Sequence, residues 1–93
     1  MALSKDTIKQ YKTLAHDLKP VVMIANKGLH EGVLNEIQRA LNDHELIKVK
    51  IAIPDKESRK NIIQEILDQS NSELIQEIGK VAVFYRESKK KSK

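Results

Sequence analysis

One stretch constrains this chain more than any other: an apolar run that passes through a glycine loop into an amphipathic segment, at residues 18–33 (LKPVVMIANKGLHEGV). Residues 21–24 are continuously apolar and rich in β-branched side chains, which is typical of a strand buried on both faces. Asn26 and Gly28 tolerate positive φ and therefore indicate a turn. From Glu31 onward, apolar residues recur at helical spacing. The stretch predicts a strand, a tight basic loop and the start of a helix.

Such a helix start favours phosphate, because the N–H groups of its first turn are unpaired and carry a partial positive charge. Lys27 and Gly28 directly precede this turn and strengthen the interpretation. An ordinary β–α connection, in which Gly28 only turns the chain, explains the local pattern equally well.

The remaining elements follow from changes in hydrophobic period and from capping residues. Helices are expected at about 4–16, 31–43 and 56–69, with Ser4, His30 and Asp55 as N-caps, and further strands at 45–53, 73–78 and 81–86. Gly79-Lys80 fits a two-residue hairpin. The order α-β-α-β-α-β-β predicts an α/β fold: one small domain over residues 1–87 with a four-stranded mixed sheet packed by helices. The basic tail 88–93 has no apolar residue and is expected to be disordered.

Charge is distributed in blocks along the chain. Lys and Arg number 17 against 13 Asp and Glu, giving a net charge of +4. Residues 1–30, 46–60 and 80–93 are basic, whereas residues 31–45 and 61–79 are acidic. Blocks of this kind can gather into one basic and one acidic surface, and a basic surface is typical of nucleic-acid binding. A mixed, merely solubilising surface is the alternative.

Several classes of function find no support in the residues. There is no cysteine, and therefore no disulfide or thiolate metal site. No apolar run reaches the length of a membrane span, and the N-terminus lacks a signal-peptide core, so a cytoplasmic protein without a membrane partner is expected. No nucleotide-binding glycine motif occurs, and the three histidines form no HxxxH pair. We expect no catalytic residue, metal, cofactor or small-molecule substrate.

Nucleic-acid binding fits the chain better, with phosphate as the main target. Tyr11, Phe84 and Tyr85 are the only aromatic residues, too few for a platform that stacks successive bases. Lysines and backbone N–H groups are therefore the expected contacts. Lys5, Lys9 and Lys12 form a stripe on the first helix, and Lys48 and Lys50 share one face of their strand.

The segments LKPVV, the loop before Gly28-Leu29, and Glu45–Lys50 (ELIKVK) resemble the YhbY or CRM-domain family of RNA-binding proteins, and the resemblance covers nearly the whole chain. It implies a fold similar to the C-terminal domain of translation initiation factor three and a stand-alone bacterial protein associated with precursor large ribosomal subunits. It also implies RNA contact at a GxxG-type loop, here residues 25–28. Ala25 replaces the first glycine of that loop, and His30 replaces a typical threonine.

The resulting hypothesis is a monomeric, non-catalytic protein that binds structured ribosomal RNA in precursor large-subunit particles. The candidate RNA-binding residues are Asn26, Lys27, Gly28, Leu29, Lys5, Lys9, Lys12, Lys19, Lys48, Lys50 and Arg86. The first alternative is a protein-interaction module that docks its acidic helices on a ribosome-associated factor, and the second is a small enzyme that acts on a phosphate ligand.

Overall fold

The computed structural model describes residues 3–25 and 27–87. Within these residues the chain forms helices α1 (Lys5–Ala15), α2 (Glu31–His44) and α3 (Lys56–Ser70), and strands β1 (Val22–Ile24), β2 (Leu46–Ile51), β3 (Glu73–Ile78) and β4 (Val81–Tyr85). This is the predicted order of elements. The predicted disordered tail 88–93 and Asn26 lie outside the described residues.

The four strands form one mixed sheet in the order β1-β2-β4-β3. β1 pairs in parallel with β2, and β4 pairs antiparallel with both β2 and β3. The parallel pair is the one connected by a helix, as expected for a β-α-β unit. Gly79 has a φ of +57° and turns the β3–β4 hairpin. The predicted α/β fold with a four-stranded mixed sheet is therefore confirmed.

The main core lies between the sheet and the helices α2 and α3. Its fully buried side chains include Ile24, Ile37, Ile51, Ile66 and Phe84. A smaller cluster lies on the other sheet face, where Ala15 of α1 packs with Ile75 and Val83. Two helices cover one face of the sheet, whereas α1 alone covers the other. Part of the α1 face therefore remains open.

The expectation that residues 21–24 form a strand buried on both faces is wrong. Val22 and Ile24 are buried, but Met23 between them is 61% exposed and Val21 is 50% exposed. β1 is an edge strand, and α1 packs over β2 and β3 instead. The α1 side of β1 therefore stays uncovered, although its residues are apolar.

β3 also departs from simple alternation. The pairing with β4 shifts between Leu74 and Gln76, so Ile75 is an extra residue in the ladder. Leu74 packs against the main core, whereas Ile75 is buried in the cluster under α1. Because of this β-bulge, Gln76 and Ile78 pair with Val83 and Val81 and share their sheet face, whereas simple alternation would place them on the face of Leu74.

Candidate nucleic-acid interface

The loop between β1 and α2 contains the tight turn that the sequence predicts. The Gly28 N–H donates to the Ala25 carbonyl oxygen at 2.8 Å, and Gly28 has a φ of +74°. A Cβ atom at this glycine would meet nothing within 4 Å. Glycine is needed here for its backbone conformation rather than for internal space, and the outer side of the turn is open to a ligand.

Ala25 fits the position at which the GxxG-type loop has its first glycine. Among the described non-glycine residues, only Glu45 and Asn71 have positive φ. Ala25 therefore lies in ordinary backbone space, where a Cβ causes no strain. The departure from the GxxG pattern leaves the turn intact, because the second glycine supplies the left-handed residue.

The N-terminus of α2 differs from the other two described helix starts. Ser4 accepts a hydrogen bond from the Thr7 N–H in α1, and Asp55 accepts one from the Ser58 N–H in α3. His30 is the N-cap of α2, as predicted, but its side chain accepts no such bond. Its imidazole instead lies against Gly32, where a Cβ would come within 3.3 Å of the ring. The helix that follows the basic loop thus starts without a side-chain cap.

Two further connections, β2–α3 and the β3–β4 hairpin, lie at the same edge of the sheet as this loop. Ile24 and Ile51 pair at the carboxyl ends of the parallel strands, and the Ile51 N–H donates to the Lys80 carbonyl oxygen at 2.6 Å. A cleft of about 460 Å³ between α3 and the hairpin is lined by Lys56, Arg59, Lys60, Glu77 and Gly79. This edge gathers five exposed lysines, here called the basic end: Lys27, Lys50, Lys56, Lys60 and Lys80.

Acidic residues gather at the opposite edge. The Arg86 N–H donates to the Glu45 carbonyl oxygen at 2.9 Å, which places the end of β4 beside the start of β2. α2 and α3 end at this edge, and β3 begins there. The carboxylates of this acidic end are Asp43, Glu45, Asp68, Glu73 and Glu87. The lysines therefore concentrate at one end of the fold, although Glu31, Asp55, Glu57 and Glu77 also lie at that end.

Lys48 and Lys50 lie on the sheet face opposite the main core, as predicted from the alternation of β2. Lys50 is exposed, whereas Lys48 is half-buried. Lys48 lines a groove of about 520 Å³ with Leu14 and Leu18 of the α1 region. α1 therefore covers part of the lysine face and leaves Lys50 accessible.

The lysine stripe on α1 is exposed but reaches the basic end only at its C-terminal side. Tyr11 stacks on Tyr85 near the acidic end, whereas His16 lines a cleft with Ile78 and Val81 near the basic end. Lys12 is one turn before His16, and Lys5 is about 10 Å further back along the helix axis. The structure thus brings Lys12 closer to the loop than Lys9 or Lys5. Lys19 is exposed beside the groove at Lys48.

Two of the candidate residues serve the fold. Leu29 is half-buried and packs against the main core, so it anchors the loop to the domain. The Arg86 guanidinium donates to the side-chain oxygens of Gln38 and Asn42 and to the Ser70 carbonyl oxygen. Burial lowers the pKa of Arg86. Arg86 therefore joins the end of β4 to α2 and α3, and its donors point into the protein.

Lys56, Lys60 and Lys80 belong to the basic end but are absent from the residues predicted on sequence. The sequence did contain an indication that Lys56 and Lys60 do not stabilise their helix, because lysines in the first turns of α3 oppose the helix dipole. The parallel pairing of β1 and β2 also implied that the loops after both strands share one edge. Arg59, in the same block, has a structural role: its guanidinium donates to the Ile53 and Pro54 carbonyl oxygens at 2.7 and 2.8 Å.

Comparison with known proteins identifies the family. The model of the CRS1 / YhbY (CRM) domain matches residues 3–86. The chain belongs to the CRS1/YhbY family of CRM domains. A probable RNA-binding protein of Pseudomonas aeruginosa is 50% identical to this CRM domain over 93 residues, covering 100% of the chain and 89% of the relative. An RNA-binding protein of Haemophilus influenzae is 52% identical over 81 residues, covering 86% of the chain and 82% of the relative.

A solved structure agrees with the fold. The solution structure of a Staphylococcus aureus protein, described as an RNA-binding candidate, matches with a TM-score of 0.81 and 31% identity, covering 94% of this chain and 91% of that one. Within the described residues of this CRM domain, no group of three or more His, Asp or Glu side chains is placed to hold a metal ion. None of its described helices is long and apolar enough to cross a membrane.

Proposed function

We propose that this CRM domain is a non-catalytic RNA-binding protein whose basic end binds the phosphates of folded ribosomal RNA. The observation that carries the proposal is the uncapped start of α2, which directly follows the Lys27–Gly28 turn at the edge where the lysines gather. Backbone N–H groups at a helix start and nearby ammonium groups both favour phosphate. The names of the relatives support RNA as the source of that phosphate.

The contacts divide by their position. Lys27 and the first-turn N–H groups of α2 form the centre, since the turn holds them together. Lys50, Lys56, Lys60 and Lys80 surround this centre on the same edge. Lys12 and Lys48 extend the positive surface toward α1. Lys19 lies beside His44 and Leu46 at the other end of the sheet, and Lys9 and Lys5 are also far from the centre. Asn26 remains a proposed contact by its place in the sequence between Ala25 and Lys27.

The biological target that we propose is precursor large-subunit ribosomal RNA, bound during ribosome assembly in the cytoplasm by a monomer. Contacts between lysine and phosphate carry little base information, so selection must come from the shape of a folded RNA. Crosslinking in cells, followed by sequencing of the bound RNA, tests this role. Enrichment of precursor large-subunit RNA is the expected result, and its absence would remove the assembly role while leaving RNA binding itself open to measurement in vitro.

A second candidate function rests on the acidic end. The acidic end repels RNA and suits a basic protein surface, such as that of a ribosome-associated factor. Copurification of a protein partner that survives nuclease treatment would favour this function. Loss of all partners after nuclease treatment would leave RNA as the link.

A further inference from the structure

The open part of the sheet carries a row of four side chains that crosses all four strands. Met23 pairs with Lys50, Lys50 with Val81, and Val81 with Ile78. All four side chains face the α1 side of the sheet, and Ile78 and the half-buried Val81 lie beside the C-terminal end of that helix. Met23 is 61% exposed, Ile78 is 64% exposed and Lys50 is exposed. We call these residues the open row.

The open row has the dimensions of a surface for a few nucleotides. Strands in a sheet lie about 4.8 Å apart, so the row extends about 14 Å across the sheet. A four-stranded sheet of this width binds about two or three bases in other RNA-binding domains. Those domains use aromatic side chains, but here Phe84 is fully buried and Tyr11 stacks on Tyr85 with ring centroids 4.6 Å apart. Methionine, isoleucine and valine are the side chains left for base contact, and the methionine sulfur favours aromatic rings.

The charge within the row selects the partner. Lys50 lies between Met23 and Val81, so a purely apolar surface docked here would bury an unpaired ammonium group. A nucleotide chain brings one phosphate with each base, which pairs the ammonium while the base covers the apolar side chains. The row also continues into the basic end, since Ile24 and Ala25 lead from Met23 to the Lys27–Gly28 turn.

We infer that the open row binds the bases of a short unpaired RNA segment that adjoins the folded element held by the basic end. This inference rests on the proposed function and deepens it. The ligand is a stem with a single-stranded extension, in which the stem phosphates contact the basic end. The bases of the extension contact Met23, Val81 and Ile78, and its phosphates contact Lys50.

Fluorescence polarisation with three RNA probes tests the inference. The first is a blunt hairpin, the second the same hairpin with a short unpaired extension, and the third carries an abasic extension with the same phosphates. The wild-type protein should bind the extended hairpin about fivefold more tightly than the abasic one, a smaller gain than base stacking on aromatic rings gives. The substitutions Met23→Ser and Ile78→Ser should each remove most of that gain and leave blunt-hairpin affinity unchanged.

Leu14→Ser is the matched control, because Leu14 is also a large apolar residue, 53% exposed, but lies on α1 outside the row. It should keep the full gain, and circular dichroism should show all three variants folded. Equal affinity for the extended and abasic probes, or an undiminished gain in both row variants, would overturn the inference while the proposed function stands. Failure of the blunt hairpin to bind at all would overturn both.

Discussion

Arg86→Ala should destabilise the fold strongly, although Arg86 resembles a surface cation in the sequence. The Arg86 guanidinium donates to the Ser70 carbonyl oxygen at 2.7 Å, to Asn42 Oδ1 at 2.8 Å and to the Gln38 carbonyl oxygen at 3.2 Å, and also to the Gln38 side chain. Ser70 is the last residue of α3, and Gln38 and Asn42 lie one turn apart on α2. Removing the side chain therefore leaves acceptors on two helices without their donor.

The size of the effect follows from these bonds. Hydrogen bonds to a charged group contribute about 1.5–3 kcal/mol, and loss of the donor to the carbonyl oxygen of the buried Ser70 adds a desolvation cost, so we expect a loss of about 2–4 kcal/mol in the free energy of unfolding. The free energy of unfolding of a domain of this length is roughly 5–14 kcal/mol in total. The melting temperature should fall by roughly 10–25 °C. Arg86→Lys should recover part of the loss, since lysine keeps the charge but not the planar set of donors.

Urea and thermal unfolding, followed by circular dichroism, measure the effect. Arg39→Ala is the control, because Arg39 is exposed on α2 and makes no hydrogen bond of the kind that Arg86 makes. It should change the free energy of unfolding by less than about 0.5 kcal/mol. Equal stability of Arg86→Ala and Arg39→Ala would show that the hydrogen bonds of Arg86 do not stabilise the fold. A stable Arg86→Ala protein that binds RNA poorly would restore Arg86 as an RNA contact.

Three further predictions concern the loop, the tail and the cap of α3. Gly28→Asp places a carboxylate on a residue with a φ of +74°, and we expect RNA affinity measured by filter binding to fall at least about tenfold with the fold retained; unchanged affinity of the folded variant would reject the turn as a contact. Deletion of residues 88–93 should leave the melting temperature within a few degrees of wild type, since the segment has no apolar side chain to bury; a larger fall would show that the segment packs on the domain. Hydrogen bonds from Ser58 hold the pKa of Asp55 below its ordinary value of 3.8, so the carboxylate stabilises the fold above that pH and loses this effect as the pH falls through the lowered value. Asp55→Ala should therefore destabilise the protein at neutral pH and progressively less in acid, whereas a constant difference across the titration would exclude the linkage.

Local features of the fold could be predicted from the sequence, because their causes lie within a few residues. The caps Ser4 and Asp55, the hairpin at Gly79 and the positive φ of Gly28 each follow from the preference of one residue for one backbone conformation. The alternation of β2 likewise placed Ile47, Val49 and Ile51 in the core and Lys50 on the surface.

Features that depend on long-range neighbours could not be predicted. The apolar run at Val21–Ile24 indicates a strand, but only the strand order shows that it is an edge with Met23 uncovered. The partners of Arg86 lie 16 to 48 residues away, so no local pattern distinguishes it from an exposed cation. The basic end also depends on long-range neighbours, since the topology of the sheet brings Lys27, Lys56 and Lys80 to the same edge.

We propose that the basic end binds folded RNA through its phosphates. The most direct test is the affinity of one structured ribosomal RNA fragment across a salt series, compared for wild type, Lys27→Gln and Arg39→Gln. The two variants lose the same charge, but Arg39 is eight residues after Glu31 on α2, hence about 12 Å further along the helix from the turn.

We predict that wild-type affinity falls steeply with salt and that the fragment outcompetes an unstructured homopolymer of equal length at moderate salt. Lys27→Gln should weaken binding to every RNA by a similar factor and reduce the salt slope by up to about one, whereas Arg39→Gln should leave the slope nearly unchanged. Two results would contradict phosphate binding at the basic end: a short unstructured oligonucleotide that binds as tightly as the folded fragment with little salt dependence, or equal effects of Lys27→Gln and Arg39→Gln.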